Sequence, residues 1–120
     1  MRAAGLKAID TVVESTAVLI RSKNPTNRKL VDTIAKRIEG VIMAQRYVLC
    51  TYNIPRELLD AASKITPGRR APTITSLEEE GWVAVSVMEL RSKIAPVMDD
   101  LAAMGAVDIF VTKIENSRVA

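Results

Sequence analysis

The chain has 120 residues, 48% of them hydrophobic but only 3% aromatic, which implies one compact domain with an attached piece and an aliphatic core of Val, Ile, Leu, Ala and Met. With one cysteine and no histidine, it has no internal disulfide, no Cys–His or Ser–His catalysis and no His-ligated zinc. The net charge of +3 is unevenly placed: residues 1–46 hold 9 Lys/Arg against 4 Asp/Glu, and residues 47–120 hold 8 against 10.

The basic excess in the first part is interleaved with apolar residues at helical spacing, the pattern of a solvated helix face, so no nucleic-acid partner is expected. No run approaches the ~18–20 apolar residues of a membrane span, and no secretory signal is visible, so a cytoplasmic chain without a membrane partner is expected. Cys50, between Val48-Leu49 and Thr51-Tyr52, reads as a buried, inert strand cysteine.

In chain order, Arg2 to Ala8 reads as a short helical stretch. Asp10 to Arg21 is rich in β-branched residues and reads as a strand pair or one long bent strand. Ser22-Lys23-Asn24-Pro25 breaks it. From Arg28 to Gln45, Leu30, Ile34, Ile38 and Val41-Ile42 recur at three- and four-residue steps, which predicts a long amphipathic helix capped by Asn27 or Thr26. Gly40 lies inside it.

Tyr47 to Tyr52 follows as a strand, and Asn53-Ile54-Pro55 turns into a helix whose buried face is Leu58, Leu59, Ala62 and Ile65. Thr66 to Arg70 is a loop, Ala71 to Leu77 a strand, and Glu78-Glu79-Glu80-Gly81 a solvated hairpin turn. Trp82 to Leu90 alternates Val83, Val85 and Val87 onto one face. Ser92 to Met104 is helical, with Pro96 in its first turn and Gly105 ending it. Ala106 to about Ile114 is the last strand.

The order from Tyr47 onward is β-α-β-β-α-β. Right-handed crossovers then give an α+β, ferredoxin-like sandwich: a four-stranded antiparallel sheet with two helices on one face. Several unrelated activities use that architecture. The few aromatics exclude base stacking on the sheet. The first loop, Asn53-Ile54-Pro55, lacks the cysteine pair of metal-carrying relatives of the fold. Two classes remain, a small-molecule effector module and a structural oligomerisation module.

Several segments decide between them. Tyr47 to Arg56, Ile65-Thr66-Pro67-Gly68, Ala71-Pro72-Thr73-Ile74, Gly81 to Val85, Met98-Asp99-Asp100-Leu101 with Gly105-Ala106, and Arg37 to Val41 together resemble the C-terminal part of long-form ATP phosphoribosyltransferases, in order and spacing. That family joins ATP to phosphoribosyl pyrophosphate with magnesium, in the first step of histidine biosynthesis. Its third domain binds histidine, and the enzyme forms dimers and hexamers. The resemblance implies a remnant of a catalytic lobe at 1–27, a connecting helix at 28–46 and a regulatory domain at 47–116. The family's phosphoribosyl-pyrophosphate loop directly precedes the stretch that Arg2 to Ile9 resembles, and no Gly-rich phosphate loop occurs here. The chain is therefore expected to hold no catalytic residue, metal or cofactor of its own and to be inactive alone. The strand at Ser15 to Ile20, severed from its neighbours, is expected to be disordered, to pair with a second copy or to swap between chains.

By the same resemblance the histidine site comprises Asn53, Arg69, Thr73, Val87, Met88 and Asp108. An amino acid needs an acceptor for its ammonium, donors for its carboxylate and an apolar wall. Asn53 and Asp108 can accept, Thr73 can do both, and backbone groups at Val87–Met88 can hold one end. Asp108 is expected to be a buried carboxylate in need of a partner. Asn53 also suits a turn, Thr73 a plain strand threonine, and Val87 and Met88 the core.

Overall fold

The computed structural model describes residues 4–118, and regular structure within them begins at Arg28. Helix α1 (Arg28–Arg46) is capped by Asn27, whose Oδ1 accepts from the Leu30 N–H at 3.0 Å. The chain passes from Arg46 directly into strand β1 (Tyr47–Pro55), and a single 3₁₀ turn leads on to α2 (Leu59–Ile65). Strands β2 (Thr73–Ser76) and β3 (Trp82–Leu90) form the hairpin. A second 3₁₀ turn opens α3 (Ile94–Met104), and β4 (Val107–Lys113) ends the sheet. Strand order is β2-β3-β1-β4, with every pair antiparallel. This is the expected ferredoxin-like arrangement.

The alternation in β1 and β3 builds the core. Cys50, Tyr52 and Ile54 from β1 and Val83, Val85 and Val87 from β3 are buried with Ala62 and Leu101, and Leu58, Leu59, Ile65, Ile94, Val97 and Met104 pack on them. Both short helices therefore cover one sheet face. Each fully buried aliphatic side chain contributes ~1.5–3 kcal/mol, so this layer outweighs any surface pairing.

Turns are made by the residues expected to make them. Gly105, at φ 109°, ends α3 by giving its N–H to Ala102 O at 3.2 Å, while Ala106 N–H reaches Leu101 O at 3.0 Å. Gly68 is required twice over: its φ is 65°, and a Cβ there would stand 2.6 Å from Val87 Cγ2. Its N–H donates to Glu89 Oε1 at 3.1 Å, which ties the Thr66–Arg70 loop to β3.

Two expectations are corrected. Among residues 4–27 there is no α-helix and no strand, only a 3₁₀ residue at Ala4, although a helical stretch was expected at Arg2–Ala8 and a strand at Asp10–Arg21; residues 2 and 3 lie outside the described residues. A strand is completed by hydrogen bonds to a neighbour, and among the described residues none pairs with this segment. Ile9, Val12 and Ile20 are 98%, 95% and 86% exposed. The arm is tied to α1 by the Arg21–Asp32 ion pair at 2.7 Å, an exposed contact contributing ~1 kcal/mol or less. The second correction is the end of β1, which runs on through Asn53-Ile54 to Pro55; Pro55, in extended backbone (φ −57°, ψ 136°), then caps the 3₁₀ turn that leads into α2, close to the helix start expected of it. Among the described residues no helix is long and apolar enough to cross a membrane.

Inside the core, Thr66 Oγ1 donates to Ala62 O at 3.1 Å, so its oxygen accepts the Tyr52 hydroxyl proton at 2.8 Å. Thr66→Val strands a buried phenol hydroxyl and is expected to cost ~1–3 kcal/mol, more than Tyr52→Phe, which leaves Thr66 its carbonyl partner. Urea unfolding of both variants checks that order.

Burial, and secondarily the Glu89 carboxylate, pushes the Cys50 thiol from 9.0 up to about 11. Burial also raises the Tyr52 phenol above 10.0, partly offset by the Thr66 hydrogen bond. The folded chain keeps protons that the unfolded chain releases. The contribution is therefore complete below pH 9.0 and falls as pH rises toward about 11. Urea midpoints are expected to drop across that window, and Cys50→Ala to flatten the early part of the decline.

Candidate functional site

The sheet face opposite α2 and α3 carries no helix. Pairing registers place its side chains in rows. Thr73, Ser86, Thr51 and Phe110 form one row across β2, β3, β1 and β4; Thr75, Ala84, Asn53 and Val107 form the next. Thr51 Oγ1 and Ser86 Oγ share a hydrogen bond at 3.2 Å, which confirms that this row faces one way.

The expected site residues distribute unevenly over this frame. Asn53 is half-buried near the end of β1, and its Nδ2 donates to Asp108 Oδ2 at 3.1 Å. The two are thus brought together, 55 positions apart in sequence. Asp108 itself is exposed and not buried as expected, because β4 has a bulge there. From Thr51 to Asn53 the partner on β4 moves from Phe110 to Val107, one residue more than β1 advances. Asp108 takes φ 51°, the left-handed region that Asp and Asn tolerate better than other non-glycine residues.

Thr73 is exposed on β2, and Met88 is half-buried on β3 opposite Leu49, both on the open face. Val87 is buried in the helix-covered core, so only its backbone is available to the open face. Arg69 lies in the exposed loop with its guanidinium 5.6 Å from the Tyr47 ring centroid, a cation–π contact of ~0.5–1 kcal/mol. Thr73 and Asp108 stand on strands at opposite edges of the sheet, three strand spacings or ~14 Å apart.

The profile of the family described as HisG, C-terminal domain, matches residues 44–116. This chain belongs to that family. The matched span contains all of β1 to β4, α2 and α3, and all six expected site residues. Over 119 residues the chain is 59% identical to the ATP phosphoribosyltransferase of Yarrowia lipolytica, covering 99% of this chain and 40% of that protein. Proteins of the same name from Schizosaccharomyces pombe (54% identical over 120 residues; 98% of this chain, 39% of theirs) and Saccharomyces cerevisiae (53% over 120; 99% and 40%) match similarly. The chain thus spans about two fifths of the length of these relatives.

Among the described residues no group of three or more Asp, Glu, Cys or His side chains converges. Sequence reasoning missed Glu89, the lone carboxylate in the apolar run of β3. Its signal was that isolation, since a half-buried carboxylate needs a donor and Gly68 N–H supplies one.

The positive φ at Asp108 separates its backbone role from its carboxylate. Asp108→Asn and Asp108→Gly are expected to leave stability within ~0.5 kcal/mol, whereas the β-branched Asp108→Val costs ~1–2 kcal/mol for the left-handed conformation. Chemical denaturation of the three variants measures this.

Proposed function

We propose that this chain is the regulatory portion of an ATP phosphoribosyltransferase, binding L-histidine for feedback inhibition and supporting homo-oligomer assembly. The phosphoribosyl transfer, with its magnesium, belongs to parts of the longer protein outside this sequence, acting in the cytoplasm. The observation that carries the histidine reading is the Asn53–Asp108 pair within a chain of this family. With Asn53 Nδ2 turned to Asp108 Oδ2, Asn53 Oδ1 and Asp108 Oδ1 remain as acceptors for an ammonium group. Asp108 adds the countercharge, since a charge-assisted bond is about twice as strong as a neutral one.

One free histidine does not bridge the ~14 Å from Asp108 to Thr73 across the sheet. The set is completed when the β4 edge of one copy meets the β2 edge of another, so ligand binding and assembly are two aspects of one site. The exposed Phe110 on the open face of β4 supplies apolar surface for that contact.

Calorimetric titration with L-histidine, against an unrelated amino acid, tests the reading. Saturable, selective binding is expected, weakened about tenfold by Asp108→Asn, which keeps the backbone but removes the charge. Thr73→Ala is expected to weaken it as well. Mixing the two variants restores binding in one site of each mixed pair if Asp108 and Thr73 come from different copies. No binding by a folded, oligomeric chain would favour a purely structural module.

A further inference from the structure

Helix α1 ends where β1 begins, and the tail leaves β4 at Lys113, which pairs with Val48 near the start of β1. Antiparallel pairing therefore brings the C-terminal half of α1 and the tail to the same end of the sheet. The tail returns along the helix: Ser117 N–H donates to Gly40 O at 2.9 Å, and Asn116 Nδ2 reaches Arg37 O at 3.5 Å. Glycine lets the two side chains of the tail lie directly on the helix. A Cβ at position 40 would collide with the Asn116 side chain and stand 2.9 Å from Arg118 Nε.

Beside that crossing lies a hollow of about 430 Å³, within the size range of small-molecule sites. Lys36, Arg46 and Arg118 line it against the single carboxylate of Glu39. Among the described residues none of the three cations has a carboxylate within ion-pair distance; the one such pair is Arg21–Asp32. The end of the α1 dipole adds only ~−0.5 charge, so the hollow stays positive. Arg118 is held in place by its Nε, which donates to Asn116 Oδ1 at 2.9 Å, leaving the outer guanidinium nitrogens as a fork for an oxyanion. Ile42 and Met43 add apolar wall, which suits an organic portion attached to the anionic group.

We propose that this hollow between α1 and the C-terminal tail binds a small multivalent oxyanion, a phosphate ester or polycarboxylate, gripped by Lys36, Arg46 and Arg118. It lies apart from Asn53 and Asp108, and the proposal does not depend on the histidine reading. The binding is electrostatic and bidentate at Arg118, so it selects di- and trivalent oxyanions over chloride.

Amide NMR titrations of the 120-residue chain with inorganic phosphate and with citrate, each against sodium chloride at matched ionic strength, test it. The expected result is saturable shifts at Lys36, Glu39 to Met43, Ser117 and Arg118, with the sheet amides unmoved. The stronger of the two probes distinguishes a phosphate from a carboxylate ligand. Arg118→Ala is expected to weaken the better probe about tenfold. Gly40→Ala pushes the Asn116 and Arg118 side chains from their places and is expected to weaken binding, while circular dichroism stays native because alanine favours the helix. The proposal is overturned if neither anion gives saturable shifts, if chloride reproduces them, or if Arg118→Ala and Gly40→Ala bind as the parent does. Shifts produced only by a long polyanion such as heparin, spread over all of α1, also overturn it.

Discussion

Strand β1 is hydrogen-bonded along both edges and buries every second residue, and those two demands lock each other. Nine residues pair with β3, from Tyr47–Leu90 to Pro55–Trp82, while the other edge pairs with β4. A one-residue slip would turn Val48, Cys50, Tyr52 and Ile54 out of the core and bring Asn53 into it. The buried Tyr52 hydroxyl adds a polar condition to the apolar one, because only the observed register sets it against Thr66. Everything else is hung from this strand: α1 runs into its start, α2 follows its end, and Asn53 marks where β4 must bulge.

That organisation explains which parts were legible in the sequence. Helix and strand periods, the Asn27 cap, the Gly105 stop and the Gly81 turn are local signals, and each has a local physical cause. The element order followed from them, and the sheet order from the crossover rule. The N-terminal arm misled because β-branched composition reports only a preference, and among the described residues no strand pairs with it. The bulge at Asp108 left no period to read. One extra residue in β4 leaves exposed a carboxylate whose apolar neighbours in sequence suggest burial. Pro55 serves two elements at once: its fixed φ suits both the end of β1 and the residue before the 3₁₀ turn.

For the candidate site, the sequence named residues but not their distances. The resemblance selected Asn53 and Asp108, and the fold joins them. It also selected Thr73 and Val87, which the sheet separates from that pair, one by edge position and one by face. A flat sheet offers no enclosure, so a ligand on this face is gripped only when something covers it. On the proposed reading, effector binding and assembly are coupled, because the cover would come from the β2 edge of a second copy.

Gly40 is where a cost in one element is offset in another. In the interior of a helix, glycine costs ~1 kcal/mol relative to alanine, and α1 has no compensating cap or ion pair at that point. The return is the close passage of the tail, with a backbone hydrogen bond to Gly40 O and a side-chain bond to Arg37 O. Each is worth about 1 kcal/mol net, so the exchange is close to even in stability. A near-even exchange gives no stability reason to prefer glycine. What the tail does supply is placement: it carries Arg118 to the hollow that Lys36 and Arg46 also line, where the three cations face the single carboxylate of Glu39. The arrangement is therefore accounted for by binding more readily than by folding.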